Sequence, residues 1–141
     1  TEAVGRVVSA VDAERLAVAR TLGVPAKTFL ETFFEAGLTT PGALASGSVA
    51  QACQESAPNR TIKSPPSLNH RYLHEDVGYG LVPMAELAAL AGVPTPTMDS
   101  LIHLASTAQG LDYRRDGLTL ERLGLQGLTV EALLRVVREG A

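Results

Sequence analysis

The spacing of its apolar residues is the feature that most constrains how this chain can fold. Near the start they recur at steps of three and four positions, the period of an amphipathic α-helix, at Val4, Val7, Val8, Val11, Val18 and Leu22. Gly23 and Pro25 then predict the end of that helix, because glycine tolerates a left-handed cap and proline cannot extend a helix. No later segment alternates convincingly between apolar and polar residues, as a half-buried strand would. The sequence therefore predicts an all-α fold.

Capping residues and helix stops divide the rest of the chain into further helices. Thr28 and Glu31 have capping-box spacing ahead of FLETFFEAG. Thr40 and Pro41 open the segment GALASGSVAQACQES, whose two glycines weaken it as a helix. The remaining predicted helices are MAELAALAG, the segment from Pro96 to Gln109, LTLERLG and the segment capped by Thr129. These closely spaced helices predict one multi-helical bundle, a single domain over residues 1–141.

Composition and charge exclude several kinds of partner. The net charge is −3 and the 12 Lys and Arg residues are scattered, so neither nucleic acid nor an anionic membrane surface is an expected partner. No apolar run has the length of a membrane span, and the first residues lack the pattern of a signal peptide. Cys53 is the single cysteine, which excludes an internal disulfide and favours a reducing compartment. A cytoplasmic location is therefore expected.

A polar cluster occupies the stretch LNHRYLHEDVGYGLVP, residues 68–83. This stretch holds two of the three histidines and two of the three tyrosines of the chain. On a regular helix Tyr72 and Asp76 share one face, whereas Arg71 and Glu75 share a neighbouring face. Arg71 and Asp76 are five positions apart, about 140° around a helix. One small site can therefore use both only if Arg71 reaches around the helix or the helix is irregular.

Two glycines in this stretch are predicted to interrupt its helix. Gly78 and Gly80 directly follow the polar cluster, and glycine lets a ligand or another backbone approach closely. The concentration of polar side chains beside them favours one wall of a ligand cleft over a solvated, salt-bridged face. A metal site is a further alternative, because His70 and His74 have the spacing of zinc-chelating histidines, with a neighbouring carboxylate as third ligand. That signal is weak, since no glutamate follows the first histidine as in metalloproteases.

A longer series of motifs resembles one known family. In order along the chain these are H-R-Y, E-D, G-Y-G-L-V-P, A-E-L-A, G-V-P-T-P and D-S-L-I. The series resembles the C-terminal helical domain of the octopine/nopaline dehydrogenase family, the opine dehydrogenases, and the likeness is densest over residues 65–105. Many family members have proline where this chain has Gly78. The resemblance implies a helical bundle like the C-terminal domain of 6-phosphogluconate dehydrogenase, following an N-terminal Rossmann domain that is absent here.

The resemblance also implies an activity that needs both domains. Such enzymes use NAD or NADP, bound mainly by the Rossmann domain, to join an amino acid to a 2-oxo acid: an imine forms and hydride reduces it. Because the family's catalytic histidine lies upstream of the first helix of this chain, the chain alone is expected to be inactive. The alternative is a non-catalytic all-α interaction or dimerisation domain. A homodimer is compatible with both interpretations.

The resemblance assigns roles to four residues of the cluster. Asp76 matches the aspartate of the family's catalytic His–Asp pair, and a carboxylate bonded to a histidine supports the cationic form of that histidine. Arg71 matches an arginine implicated in holding a substrate carboxylate, for which its planar, two-pronged guanidinium is suited. Tyr72 and Glu75 complete the predicted substrate-binding set. No residue of this chain is predicted to ligate a metal or to bind the cofactor directly.

Overall fold

The fold is built from helices joined by turns. The computed structural model describes residues 1–140, which contain no strand, so the predicted all-α class is confirmed. No helix among these residues is both long enough and apolar enough to cross a membrane. A 3-10 turn spans Pro58–Thr61, and a π-helical segment, Asp76–Leu81, joins α5 to α6. The α-helices are α1 (Glu2–Thr21), α2 (Phe29–Glu35), α3 (Pro41–Ser46), α4 (Val49–Glu55), α5 (Arg71–Glu75), α6 (Val82–Leu90), α7 (Pro96–Gln109), α8 (Tyr113–Asp116) and α9 (Val130–Glu139).

The start of α1 packs through a glycine and not through its valines. Gly5 is buried, and a Cβ atom at this position would lie 2.9 Å from the backbone nitrogen of Ala50 in α4. Val4 and Val7, at the start of the predicted apolar stripe, are instead 60% and 42% exposed. The expectation that this stripe faces the core is therefore wrong at its first turns and holds only further along, where Val18 is buried.

Capping residues named from the sequence begin α2, α3 and α9 as predicted. The Thr28 hydroxyl accepts the backbone N–H of Glu31 at 3.1 Å, and the Glu31 carboxylate accepts the backbone N–H of Thr28 at 2.7 Å. The hydrogen bonds that the Glu31 carboxylate accepts from the backbone N–H and the hydroxyl of Thr28 lower the pKa of Glu31, because they favour its charged form. Thr40 and Thr129 each accept the backbone N–H of the residue three positions on.

The segment GALASGSVAQACQES is two helices and not one weakened helix. Gly47 ends α3 with a φ of +70°, a left-handed conformation that costs glycine little. Ser48 then begins α4 by accepting the backbone N–H of Gln51. Gly47, one of the two glycines that weakened the predicted helix, is therefore the cap that separates α3 from α4.

Between α7 and α9 the structure differs from the prediction. LTLERLG, predicted as a short helix, is a series of turns. The arginine-containing segment before it forms the short helix α8, which Asp112 caps through the backbone N–H of Arg115. Glu86 of α6 holds the turn segment by accepting the backbone N–H of Leu120.

The main core lies between the π-helical segment, α6 and α7. Its buried side chains are Val77, Val82, Ala85, Ile102, Ala105 and Tyr113. Leu73 and Leu81 pack against them and are partly buried. The helix that carries the polar cluster therefore has its opposite side anchored in the core.

Glu14 connects α1 to α7. Its two carboxylate oxygens accept the backbone N–H groups of Thr97, at 2.7 Å, and of Met98, at 3.0 Å. The side chain of Thr95, which precedes α7, makes no capping hydrogen bond. The first N–H groups of a helix have no partner within the helix, so a carboxylate from a distant helix caps α7 here.

Replacing Glu14 with alanine should lower the free energy of unfolding by about 1–2 kcal/mol, because two N–H groups at the start of α7 lose their acceptor. Urea denaturation followed by circular dichroism measures the change. Glu131→Ala is the matched control, because Glu131 is exposed in the first turn of α9 and should alter stability by less than about 0.5 kcal/mol. Equal losses in the two variants would contradict the capping role of Glu14.

Candidate active site

The helix that carries the polar cluster continues through both glycines. The predicted interruption at Gly78 and Gly80 is wrong, because α5 passes through the π-helical segment directly into α6. Pro83 explains the irregular turn, since it lacks the N–H that would bond to the carbonyl of Tyr79 in α-helical register. Within the wider turn the N–H of Val82 bonds to the carbonyl of Val77, five residues earlier.

The carbonyl of Gly78 leaves the helix ladder and bonds to a distant segment. In π-helical register its partner would be the N–H that Pro83 lacks. It accepts instead the N–H of Leu118, at 2.8 Å, from the segment that follows α8. Gly117 permits this approach, because a Cβ atom there would lie 2.5 Å from the Gly78 oxygen and 2.6 Å from the Tyr113 oxygen.

An open groove runs beside the first turns of this helix. Its volume is about 620 Å³, and His70, Tyr72, Leu73 and Asp76 line it on the helix side. The opposite wall is the segment of residues 64–68, which contains two prolines. The Asp76 side chain is exposed, and its carboxylate accepts no hydrogen bond from any residue between 1 and 140. It is therefore available to a donor from outside this part of the chain.

Arg71 and Glu75 pair with each other beside the groove. The Nη2 atom of Arg71 lies 3.1 Å from Oε2 of Glu75, and both side chains are largely exposed. The guanidinium carbon of Arg71 is 6.0 Å from the centre of the Tyr72 ring. The hydrogen bond and the negative charge of Glu75 raise the pKa of Arg71. Of the four residues predicted for the site, two thus line the groove and two form an ion pair on the neighbouring face.

His74 belongs to a hydrogen-bonded chain that sequence reasoning missed. The hydroxyl of Tyr113 lies 2.7 Å from His74 Nδ1, and His74 Nε2 lies 2.9 Å from the side-chain oxygen of Asn69. Burial raises the pKa of Tyr113. With a neutral His74 ring, the Tyr113 hydroxyl donates a hydrogen bond to Nδ1. The His74 ring then carries its own proton on Nε2 and donates to Asn69. Tyr113 lies far along the chain among charged residues, and no local pattern connects it with the cluster.

These hydrogen bonds give the metal-site alternative no support. Both ring nitrogens of His74 are engaged within the protein, and Nδ1 of His70 accepts the backbone N–H of Tyr72 at 3.2 Å. Among residues 1–140 no three His, Cys, Asp or Glu side chains are grouped so that they could hold a metal ion.

Sequence comparison assigns the family. The family described as NAD/NADP octopine/nopaline dehydrogenase, alpha-helical domain, matches residues 1–109. The chain belongs to this family. It is 37% identical over 137 residues to an opine dehydrogenase of Arthrobacter sp. (strain 1C), an alignment that covers 97% of this chain and 37% of that protein. It is 34% identical over 131 residues to protein ocs of Agrobacterium tumefaciens (strain Ach5), which covers 92% of this chain and 35% of that protein.

The chain spans about a third of the length of these curated relatives, 37% and 35% of the two proteins. The resemblance stated from the motifs is thereby confirmed as family membership. The family match ends at residue 109, whereas the alignment with the Arthrobacter protein covers 97% of the chain. Tyr113 and Gly117, which hold the π-helical segment, lie in the part beyond the family match.

Gly117→Ala should lower the free energy of unfolding by about 1–3 kcal/mol, because the new methyl group would overlap two backbone oxygens that cannot rotate away. Gly42→Ala in α3 is the matched control. Its Cβ atom would meet only the Thr40 hydroxyl at 3.7 Å, so alanine should leave stability unchanged or raise it by up to about 1 kcal/mol. Thermal and urea unfolding of both variants measure the difference. If alanine is tolerated equally well at the two positions, the close contact at Gly117 does not constrain the site.

Tyr113→Phe should cost about 1 kcal/mol of stability, because His74 loses the donor to its Nδ1 atom while the ring packing of residue 113 is kept. Tyr79→Phe is the control, since Tyr79 is 61% exposed and its hydroxyl has no partner among the described residues. Unfolding by urea compares the two. A loss of stability in Tyr113→Phe no larger than that in Tyr79→Phe would refute the hydrogen-bonded chain.

Proposed function

We propose that this chain is the substrate-binding helical domain of an NAD(P)-dependent, opine dehydrogenase-like oxidoreductase. The reaction proposed for the full-length protein is reductive condensation of an amino acid with a 2-oxo acid, which forms a new CH–NH bond. The observation that carries the proposal is membership of the octopine/nopaline dehydrogenase family. The open groove that Tyr72 and Asp76 line supports it, because both residues come from the motif that resembles the family's site.

The cofactor would be held mainly outside this chain. A dinucleotide usually binds where a strand runs through a glycine-rich turn into a helix, and residues 1–140 contain no strand. We therefore propose that a Rossmann-type domain of the full-length protein binds NAD or NADP, which supplies the hydride. The residues of this chain would contribute to binding and orienting the two substrates and to proton transfer.

Asp76 is proposed as the carboxylate of a His–Asp pair. Its side chain is exposed at the groove and has no hydrogen-bond partner among the described residues. A histidine from another part of the full-length protein could therefore donate a ring N–H to it. The carboxylate would fix the tautomer of that histidine and stabilise its cationic form, which can protonate the carbinolamine oxygen as water leaves.

Arg71 is proposed to hold a substrate carboxylate. Its ion pair with Glu75 is exposed to solvent, and exposed ion pairs are weak, so a carboxylate of the substrate can replace Glu75 at little cost. The planar guanidinium can grip that carboxylate with two parallel hydrogen bonds. Tyr72 lines the groove and lies beside the guanidinium, so it connects the two halves of the proposed site.

The test measures NADH and NADPH oxidation by the full-length protein with pyruvate and a panel of amino acids. Asp76→Asn should lower kcat by at least about 100-fold, the usual loss when general acid–base catalysis is removed. Arg71→Ala should mainly raise the KM for the 2-oxo acid. The matched controls are Arg115→Ala and Asp116→Asn, which break an exposed ion pair within α8 that does not line this groove. Both controls should keep wild-type kinetics.

Three results would count against the proposal. Wild-type rates in both Asp76→Asn and Arg71→Ala would remove the proposed site. Turnover with pyruvate alone would indicate a simple hydroxy-acid dehydrogenase. No turnover with any substrate pair, together with a stable homodimer, would favour the non-catalytic interaction domain.

A further inference from the structure

His70 occupies a particular position at the start of the polar-cluster helix. It precedes α5 in an extended conformation, with φ −141° and ψ 147°, and its side chain caps the helix. The Nδ1 atom accepts the backbone N–H of Tyr72 at 3.2 Å. His70 also lines the groove together with Tyr72 and Asp76. One nitrogen of the ring is thus used by the backbone while the ring itself borders the groove.

The capping bond fixes where the ring carries its proton. A ring nitrogen that accepts a hydrogen bond carries no proton, so the neutral ring must carry its proton on Nε2. Nε2 makes no hydrogen bond with the described residues. The ring packs edge-on against Tyr72, with centroids 4.6 Å apart and planes at 70°, which limits its rotation. The Nε2–H group of neutral His70 is therefore an oriented donor on a side chain that lines the groove.

We propose that His70 binds a substrate carboxylate through this Nε2–H group. The inference rests on the proposed function, in which both substrates are carboxylates. An ionised aspartate only accepts hydrogen bonds, so Asp76 as a carboxylate cannot hold an anionic substrate by itself. The opposite wall of the groove offers two serine hydroxyls and is otherwise apolar, with two prolines and Leu68. Among the described side chains that line the groove, only His70 carries an N–H group, which is the kind of donor that an anionic group there requires.

Two amide substitutions separate the capping role of His70 from the binding role. The side-chain oxygen of asparagine lies near the position of histidine Nδ1, and asparagine is among the best N-cap residues. Asparagine therefore keeps the cap but has no donor at the position of Nε2. The side-chain nitrogen of glutamine can reach the position of Nε2, but glutamine caps helices poorly. His70→Asn should consequently keep stability and lose substrate binding. His70→Gln should lose stability and keep more of the binding.

The experiment uses the full-length protein, with NADH oxidation as a function of pyruvate and of the amino acid partner. His70→Asn should raise the KM for one carboxylate substrate about 10- to 100-fold, the loss of one hydrogen bond to a charged group. Its KM for NADH and its melting temperature should stay close to wild type. His70→Gln should show a smaller rise in that KM and a lower melting temperature, and His70→Ala should show both defects.

Each result of this experiment has a distinct meaning. If wild type turns over and His70→Asn has wild-type KM values for both carboxylate substrates, the role of His70 is capping alone and the inference is wrong. If wild type turns over no substrate pair, the proposed function fails and the binding role falls with it. Nitrogen-15 spectra of histidine-labelled protein give a readout that needs no turnover. They should place the proton of neutral His70 on Nε2, and a proton on Nδ1 would overturn the inference.

Discussion

Pro83 has no amide hydrogen, so it cannot make the α-helical hydrogen bond to the carbonyl of Tyr79 in the helix that carries the polar cluster. The wider π-helical turn that results releases the carbonyl of Gly78, which bonds to Leu118 beyond α8. That bond brings the segment after α8 against the helix, and Gly117 has no side chain to prevent the approach. Much of the arrangement around the candidate site depends on this displaced carbonyl.

The position of Tyr113 is part of the same arrangement. Its ring packs on Gly78, and its hydroxyl reaches His74 one turn earlier on the helix. His74 in turn holds Asn69, which directly precedes the capping residue His70. A chain of contacts therefore runs from the core to the start of the groove. The side chains that line the groove belong to a helix end that these contacts hold in place, although Asp76 is itself exposed. Such support matters because a binding group must be held in position before the ligand arrives.

The local signals in the sequence predicted many helix boundaries correctly. Thr28, Thr40 and Thr129 begin helices because a hydroxyl can cap the backbone within three residues, which needs no information from the rest of the chain. Gly78 and Gly80 misled the prediction, since tertiary packing can outweigh the cost of glycine in a helix. The valines at the start of α1 misled it too, because Gly5 is where α4 approaches.

The sequence by itself determined the all-α class, several helix starts and the motif that identifies the family, because periodicity, caps and motifs are set by neighbouring residues. The sequence also determined that the four predicted site residues lie on one helix. They are Arg71, Tyr72, Glu75 and Asp76. Only the tertiary structure decided that Tyr72 and Asp76 line a groove while Arg71 and Glu75 pair beside it. It likewise decided that Glu14 caps α7, that Tyr113 bonds to His74 and that Gly78 meets Leu118. Each of these contacts joins residues that lie far apart along the chain, and their meeting depends on how whole helices pack.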